Sequence, residues 1–143
     1  MSEFPYDETI LRGIKAAIPA IHQHLLDGLP EEVVGLVLSD GSTVRLINQA
    51  RSSSRFEVGV PQLAQALADI NPATHTVIGI YHSHPLNSPD LSPADQESMK
   101  VQWGVGFSVP WIVMTGDGRV SVWWLDPIYK HPVKYLLPTL EPA

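Results

Sequence analysis

Cysteine is absent from this 143-residue chain. That absence removes disulfides, thiol nucleophiles, zinc fingers and the Cys-ligated zinc of nucleobase deaminases together. Any metal site must be built from His and carboxylates. Basic residues are few and unclustered: nine Lys and Arg against fifteen Asp and Glu leave a formal net charge of −6. A phosphate-binding groove needs cationic side chains gathered in a patch, so no nucleic-acid partner is expected. No apolar run approaches the roughly 18 residues of a membrane span. The opening segment MSEFPYDE has neither the basic nor the apolar region of a secretory signal. The expectation is a cytoplasmic protein with no membrane partner. Charged residues make up 17 % of the chain and apolar residues 44 %, a balance that fits a folded globular protein rather than extended disorder. The length fits one domain over 1–143 with one active centre: a core over about 8–126 and a Pro-rich tail over 127–143.

Hydrophobic spacing gives the order of elements. Ile10, Ile14, Ala17, Ile18, Ile21 and Leu25 recur every three or four residues and predict a helix over about 7–26, kinked at Pro19. The run VVGLVLS, then Asp40-Gly41, then Thr-Val-Arg-Leu-Ile reads as a hairpin. Polar Gln49 to Ser54 reads as an exposed loop, and the alternation of Phe56, Val58 and Val60 predicts a third strand ended by Pro61. Leu63, Ala66, Leu67 and Ile70 predict a second amphipathic helix. A strand over Thr76–Tyr81 runs into His82, and a loop follows over 85–91. Ser92-Pro93-Ala94-Asp95 has the form of an N-cap, a Pro at the first helical position and an acidic first turn, opening a helix to about Gln102. Strands over Trp111–Thr115 and Val120–Leu125 flank the turn Gly116-Asp117-Gly118. The tail carries four of the 13 prolines and is expected to wrap or to be mobile. Helices on a central, mainly antiparallel or mixed sheet follow from this pattern.

The chemistry is concentrated in Tyr81-His82-Ser83-His84-Pro85. Two histidines at i and i+2 of a strand share one face, about 6.6 Å apart at the backbone, close enough for both rings to reach one ion at roughly 2.0–2.1 Å. A bare pair of this kind is a weak signal. Asp95, in the first turn of the next helix, adds a carboxylate, and two His with one carboxylate make the three protein ligands of an open catalytic zinc site. Hydrolysis also needs a proton carrier beside the activated water, and Glu31 or Glu32 lies where the first core strand begins.

The order of a glutamate, His82-Ser83-His84-Pro85, seven residues from Pro85 to Leu91, and Ser92-Pro93-Ala94-Asp95 resembles the JAMM motif of MPN-domain (Mov34/JAB) metallopeptidases, with no position missing. The segment Glu32-Val33-Val34-Gly35-Leu36 is similar to the family's E-x-x-G-L, which selects Glu32 over Glu31. The resemblance implies an α/β (α+β) fold of the MPN/JAB-like, cytidine-deaminase-like type, three layers with a central mixed sheet flanked by helices. It implies one zinc ion held by His82, His84 and Asp95. It further implies that Glu32 takes a proton from the zinc-activated water and passes it to the leaving amine, and that Ser92 helps hold the oxyanion. Ser-Pro-x-Asp is equally a good helix start in which Ser92 merely caps N–H groups.

The implied activity is that of a zinc metallopeptidase or isopeptidase on a protein or peptide substrate, such as a ubiquitin-like or sulfur-carrier protein with a Gly-Gly tail. The short span between Asp95 and the next strand leaves little room for the long insertion of eukaryotic deubiquitinases and moves the reading to a compact prokaryotic or phage type. A phage tail or virion-associated peptidase and a non-catalytic scaffold are the alternatives; oligomeric state is not legible. Ser83 should point to the opposite face as a structural hydrogen-bonder. His22, His24, His75 and His131 lack partners at ligand spacing and are expected to have surface or local roles. Asp90 is expected to be a solvated loop carboxylate. Alternation should expose one of Trp123 and Trp124.

Overall fold

A computed structural model describes residues 6–85, 88, 90–104 and 106–137. The extreme ends of the chain and part of the loop after His84 lie outside the described residues. Helix α1 spans Glu8–Gly28, and its start is set by Asp7, whose side chain accepts from Thr9 N at 2.8 Å. Its apolar stripe of Ile14, Ala17, Ile18, Ile21 and Leu25 is buried, as a 3.6-residue period requires. The helix continues through Pro19, which sits on the exposed face.

Strands β1 (Val34–Leu38) and β2 (Thr43–Leu46) form the expected hairpin, with Gly41 at φ 86° in its turn. Helix α2 (Val60–Asp69) follows, then β3 (Val77–His84), α3 (Pro93–Gly104), β4 (Trp111–Thr115), β5 (Val120–Leu125) and β6 (Pro132–Leu137). The sheet order is β2-β1-β3-β4-β5-β6, with β3 and β4 parallel and every other pair antiparallel. Two parallel neighbours need a crossover, and α3 supplies it. The fold is thus a mixed α+β architecture, a six-stranded mixed sheet flanked by helices.

Each sheet face has its own core. On one, the α1 stripe packs against Val37, Tyr81, Ile112, Met114, Val120 and Val122. On the other, Leu63 and Ala66 of α2 and Met99 and Trp103 of α3 meet Val34, Leu36, Ile80, Trp111, Val113 and Trp123. Covering both faces explains why Trp123 and Trp124 are both buried, against the expectation that one would be exposed. Trp124 meets the Tyr6 ring edge-on at 6.4 Å, and Lys134 Nζ lies 5.7 Å from the Trp123 ring.

Two further expectations are corrected. Residues 56–59 form no strand. Their polar backbone groups are taken by a neighbouring loop, with Glu57 N donating to Asn48 Oδ1 and Gln49 N to Glu57 O, and Val60 already begins α2. The tail, expected to wrap or to be mobile, contributes β6 over 132–137, paired with β5 from Val120–Leu137 to Leu125–Pro132. Pro132 costs no ladder bond at the first position of an edge strand.

Candidate metal centre

Alternation along β3 divides its residues between the two faces. His82 and His84 lie on the α2/α3 side with Ile80, while Tyr81 and Ser83 lie on the α1 side. In the ladder, Val34 of β1 faces His82. Ser83 is the expected structural hydrogen-bonder: its Oγ accepts from Val33 N at 2.8 Å and its N–H donates to Val33 O at 3.0 Å. Extending that register by one place sets Glu32 opposite His84, on the face of the histidines. Glu31, one residue earlier, borders a cavity with His24 and Arg51 that Glu32 also touches, but only Glu32 of the two lines the cleft beside His84. Gly35 is required in this arrangement because it pairs with Tyr81, and a Cβ there would overlap the Tyr81 ring.

The crossover brings in the carboxylate. Ser92 and Asp95 bond reciprocally at the start of α3, Asp95 N to Ser92 Oγ and Ser92 N to Asp95 Oδ2, each at 3.1 Å. This capping box holds two otherwise orphaned N–H groups and aims Asp95 at the end of β3. His82 Nε2, His84 Nε2 and Asp95 Oδ2 consequently form a triangle with edges of 3.1, 3.0 and 3.2 Å. The Glu32 carboxylate stands further out, within 4.8 Å of both imidazoles. All four residues are buried.

The triangle fits a metal ion on three counts. Ligands 2.0–2.1 Å from a tetrahedral ion are separated by about 3.3 Å, close to the observed edges. His84 Nδ1 lies 2.6 Å from Ser88 O, so its proton is donated to that carbonyl. In the neutral ring Nε2 is then a bare acceptor turned toward His82 Nε2 and the Asp95 carboxylate oxygen, the arrangement of a metal-binding histidine fixed by its outer partner. His82 is held by packing: Phe56 lies over its ring at 4.5 Å between centroids and Trp111 meets it edge-on at 5.6 Å. Its Nδ1 has no hydrogen-bond partner among the described residues, and neither does Glu32 Oε1.

The charges are set by the same burial. Desolvation raises the Glu32 carboxyl to about 7, opposed by the nearby His84 and reinforced by Asp95. Burial would also raise Asp95, but its bonds to His82, His84 and Ser92 N prevail and hold it far below the usual carboxylate range. Desolvation lowers His82, and only part of that is offset by Asp95. His84 goes the other way: burial disfavours its cation, but Asp95, Ser88 O and Glu32 together raise it. The centre opens into a small cleft of about 240 Å³ lined by Glu32, Ser53, Ser54, His84, Ser88, Asp90, Leu91 and Ser92. Larger hollows lie elsewhere, one of about 650 Å³ between β2 and α2, but they contain none of this chemistry.

Several contributors carry no signal in the sequence. Asn48, Phe56 and the Ser88 carbonyl all touch the centre or its supports, yet Asn48 and Ser88 belong to no spaced pattern, and the alternation that includes Phe56 points to a strand rather than to the site. Asp90 is exposed, as expected, and pairs with Lys134 of β6 at 2.7 Å. Of the other histidines, His24 is not the surface or locally bonded residue expected but is buried against Tyr81 Oη at 2.6 Å across the α1 face of the sheet, while His75 bonds Thr74 and Asp40; neither lies at the centre.

Comparison with known proteins agrees with this geometry. A family model described as prokaryotic homologs of the JAB domain matches residues 15–126. A desampylase from Pyrococcus furiosus is 32 % identical over 84 residues, covering 58 % of this chain and 56 % of the relative; the match thus spans little more than half of that protein. The solution structure of a Desulfitobacterium hafniense protein superimposes with a TM-score of 0.64 at 18 % identity, over 85 % of this chain and 86 % of that one, which establishes a shared fold. The matched segment, from within α1 to the end of β5, contains Glu32, His82, His84, Ser92 and Asp95, and the chain belongs to the prokaryotic branch of the JAB/MPN family.

Proposed function

We propose that this chain is a zinc-dependent peptidase or isopeptidase, one catalytic domain over 1–143, acting beside the C-terminal tail of a ubiquitin-like or sulfur-carrier protein. The observation that carries the reading is the triangle of His82 Nε2, His84 Nε2 and Asp95 Oδ2 beside a buried Glu32. The likeness to a desampylase supports a protein substrate bearing a ubiquitin-like tail. Zinc held by those three residues would supply Lewis acidity, polarising a carbonyl and bringing the ionisation of a water close to neutral pH.

Glu32 moves the protons. Its Oε1, without a hydrogen-bond partner among the described residues, accepts one from the attacking water, and the acid so formed gives it to the departing amine. Burial of the carboxyl favours its protonated form, so the proton taken from the water is held until the amine departs. Ser92 accepts from Asp95 N through an oxygen lone pair, which leaves its hydroxyl proton free to donate to the oxyanion across the cleft that it lines with Glu32. Cap and oxyanion donor are therefore compatible roles.

Incubation of the zinc-loaded protein with ubiquitin-fold proteins extended beyond a C-terminal Gly-Gly, read by mass spectrometry, tests the proposal. Cleavage after the terminal glycine, lost on EDTA treatment and in Glu32→Gln, is expected. Unchanged cleavage after both would refute it, and random internal cuts would refute the substrate assignment.

A further inference from the structure

Glu32 lies two residues before β1, beyond the last ladder pair of Val34 and His82, so the sheet does not hold its own peptide groups. Its N–H donates to Ser52 O at 2.7 Å, and its carbonyl accepts from Asn48 Nδ2 at 2.9 Å. Both attachments come from the loop over 47–59.

Asn48 is buried and all four of its side-chain hydrogen-bonding positions are engaged. Nδ2 donates to Glu32 O and to Arg55 O at 2.9 and 3.0 Å, while Oδ1 accepts from Ala50 N and Glu57 N, each at 3.0 Å. Exchanging the amide's oxygen and nitrogen would set an acceptor against two carbonyls and a donor against two N–H groups, so its orientation is fixed. Between these anchors Arg51 adopts φ 48° and donates its N–H to Asn48 O at 3.1 Å. A non-glycine residue keeps that conformation when its surroundings impose it. The same loop brings Ser53 and Ser54 to the mouth of the cleft and lays Phe56 on the His82 ring.

On the reading of Glu32 as proton carrier, we infer that Asn48 is a positioning residue: it ties the Glu32 backbone to the loop that walls the cleft and so sets where the carboxylate stands against the metal ligands. A fully satisfied buried amide rigidifies what it joins, and small displacements of a reacting group are costly, about a hundredfold in rate for 1 Å.

Two variants separate this role from simple support of the loop. Asn48→Asp keeps the acceptors for Ala50 and Glu57 and loses both donors, including the one to Glu32; Asn48→Ala loses all four and adds no charge. The probe is a ubiquitin-fold protein ending in Gly-Gly joined to a fluorescent peptide, cleaved by the 143-residue zinc-loaded chain. In both variants kcat is expected to fall between about tenfold and a hundredfold with KM within about twofold. In Asn48→Asp the Ala50 and Glu57 amides should stay protected from hydrogen exchange and zinc content should not change. Wild-type kcat in Asn48→Asp overturns the inference. So does a loss of kcat that appears only together with loss of that protection or of zinc. Glu32→Gln, run alongside, separates the two levels: if it cleaves at the wild-type rate, the role of Glu32 itself fails. If it is inactive while Asn48→Asp is unimpaired, only the role of Asn48 fails.

Discussion

Burying a glutamate with no partner among the described residues on one of its oxygens has a stability consequence that is measurable without a substrate. In the metal-free protein the Glu32 carboxyl is raised from 4.5 to about 7, chiefly because its charged form is desolvated. The folded state therefore holds a proton that the unfolded state releases between those values. The stabilisation is fully present below about 4.5, declines as pH rises, and is gone above about 7. A displacement of that size corresponds to at most roughly 3 kcal/mol, which solvent in the cleft that Glu32 lines lowers by screening. Glu32→Gln cannot lose a proton and should escape this decline. Its stability relative to wild type should improve by about 2–3 kcal/mol between pH 4.5 and pH 8.5. With a urea m-value of roughly 2 kcal/mol/M, the difference between the two midpoints should change by about 1 M or more. Urea titrations of both EDTA-treated proteins at the two pH values give the answer, because a fixed cost of burying the amide cancels in the comparison. A difference that does not change with pH would show that Glu32 is not a desolvated carboxyl.

Removing the metal should lower stability, since an ion that binds only the folded state at a hundredfold excess over its Kd contributes about 2.7 kcal/mol, roughly 9 °C in Tm for a chain of this length. His82→Ala should abolish both stoichiometric zinc and that EDTA-sensitive increment in a thermal scan. Gly35→Ala should cost about 2 kcal/mol or more in urea, because the new methyl meets the Tyr81 ring across the β1–β3 ladder; a cost under about 0.5 kcal/mol would show that the ring can yield. Lys134→Ala should cost less than about 1 kcal/mol and leave zinc content unchanged, because its partner Asp90 is well exposed and the burial of Leu91 holds the loop instead.

Legibility in the sequence followed locality. The helices, the β1–β2 hairpin and the strands β4 and β5 were readable because each carries its own period and its own turn residues. The two histidines were readable because a spacing of two on a strand is a statement about one face, and Asp95 because Ser92-Pro93 announces a helix start. Glu32 needed a family pattern to be chosen over Glu31, and the structure supplies the physical reason: the register of Val34 with His82 sends Glu32 to the site face and Glu31 away from it. What remained unread depends on distant partners. Phe56 and Val58 alternate like a strand, but Asn48 and Gln49 supply their loop's hydrogen bonds. Trp123 and Trp124 alternate like a half-exposed strand, but both faces of β5 are covered. Asn48 carries no pattern at all, since its significance lies in four bonds to groups from Glu32 to Glu57.

The sixth strand marks where resemblance and structural integrity part company. The family match ends at residue 126, yet β5 is paired along its length by residues 132–137. A chain cut at Asp126 would keep every residue of the candidate metal centre and still acquire a new sheet margin, six residues of Val, Ser, Val, Trp, Trp and Leu with unpaired backbone groups. Such a margin is a template for other chains. A truncation guided by the motif alone is therefore expected to self-associate, and light scattering of the shortened protein would reveal it. The tail is in that sense a built-in guard against aggregation, contributed by residues whose link to the candidate centre is the ion pair of Lys134 with Asp90 at the cleft.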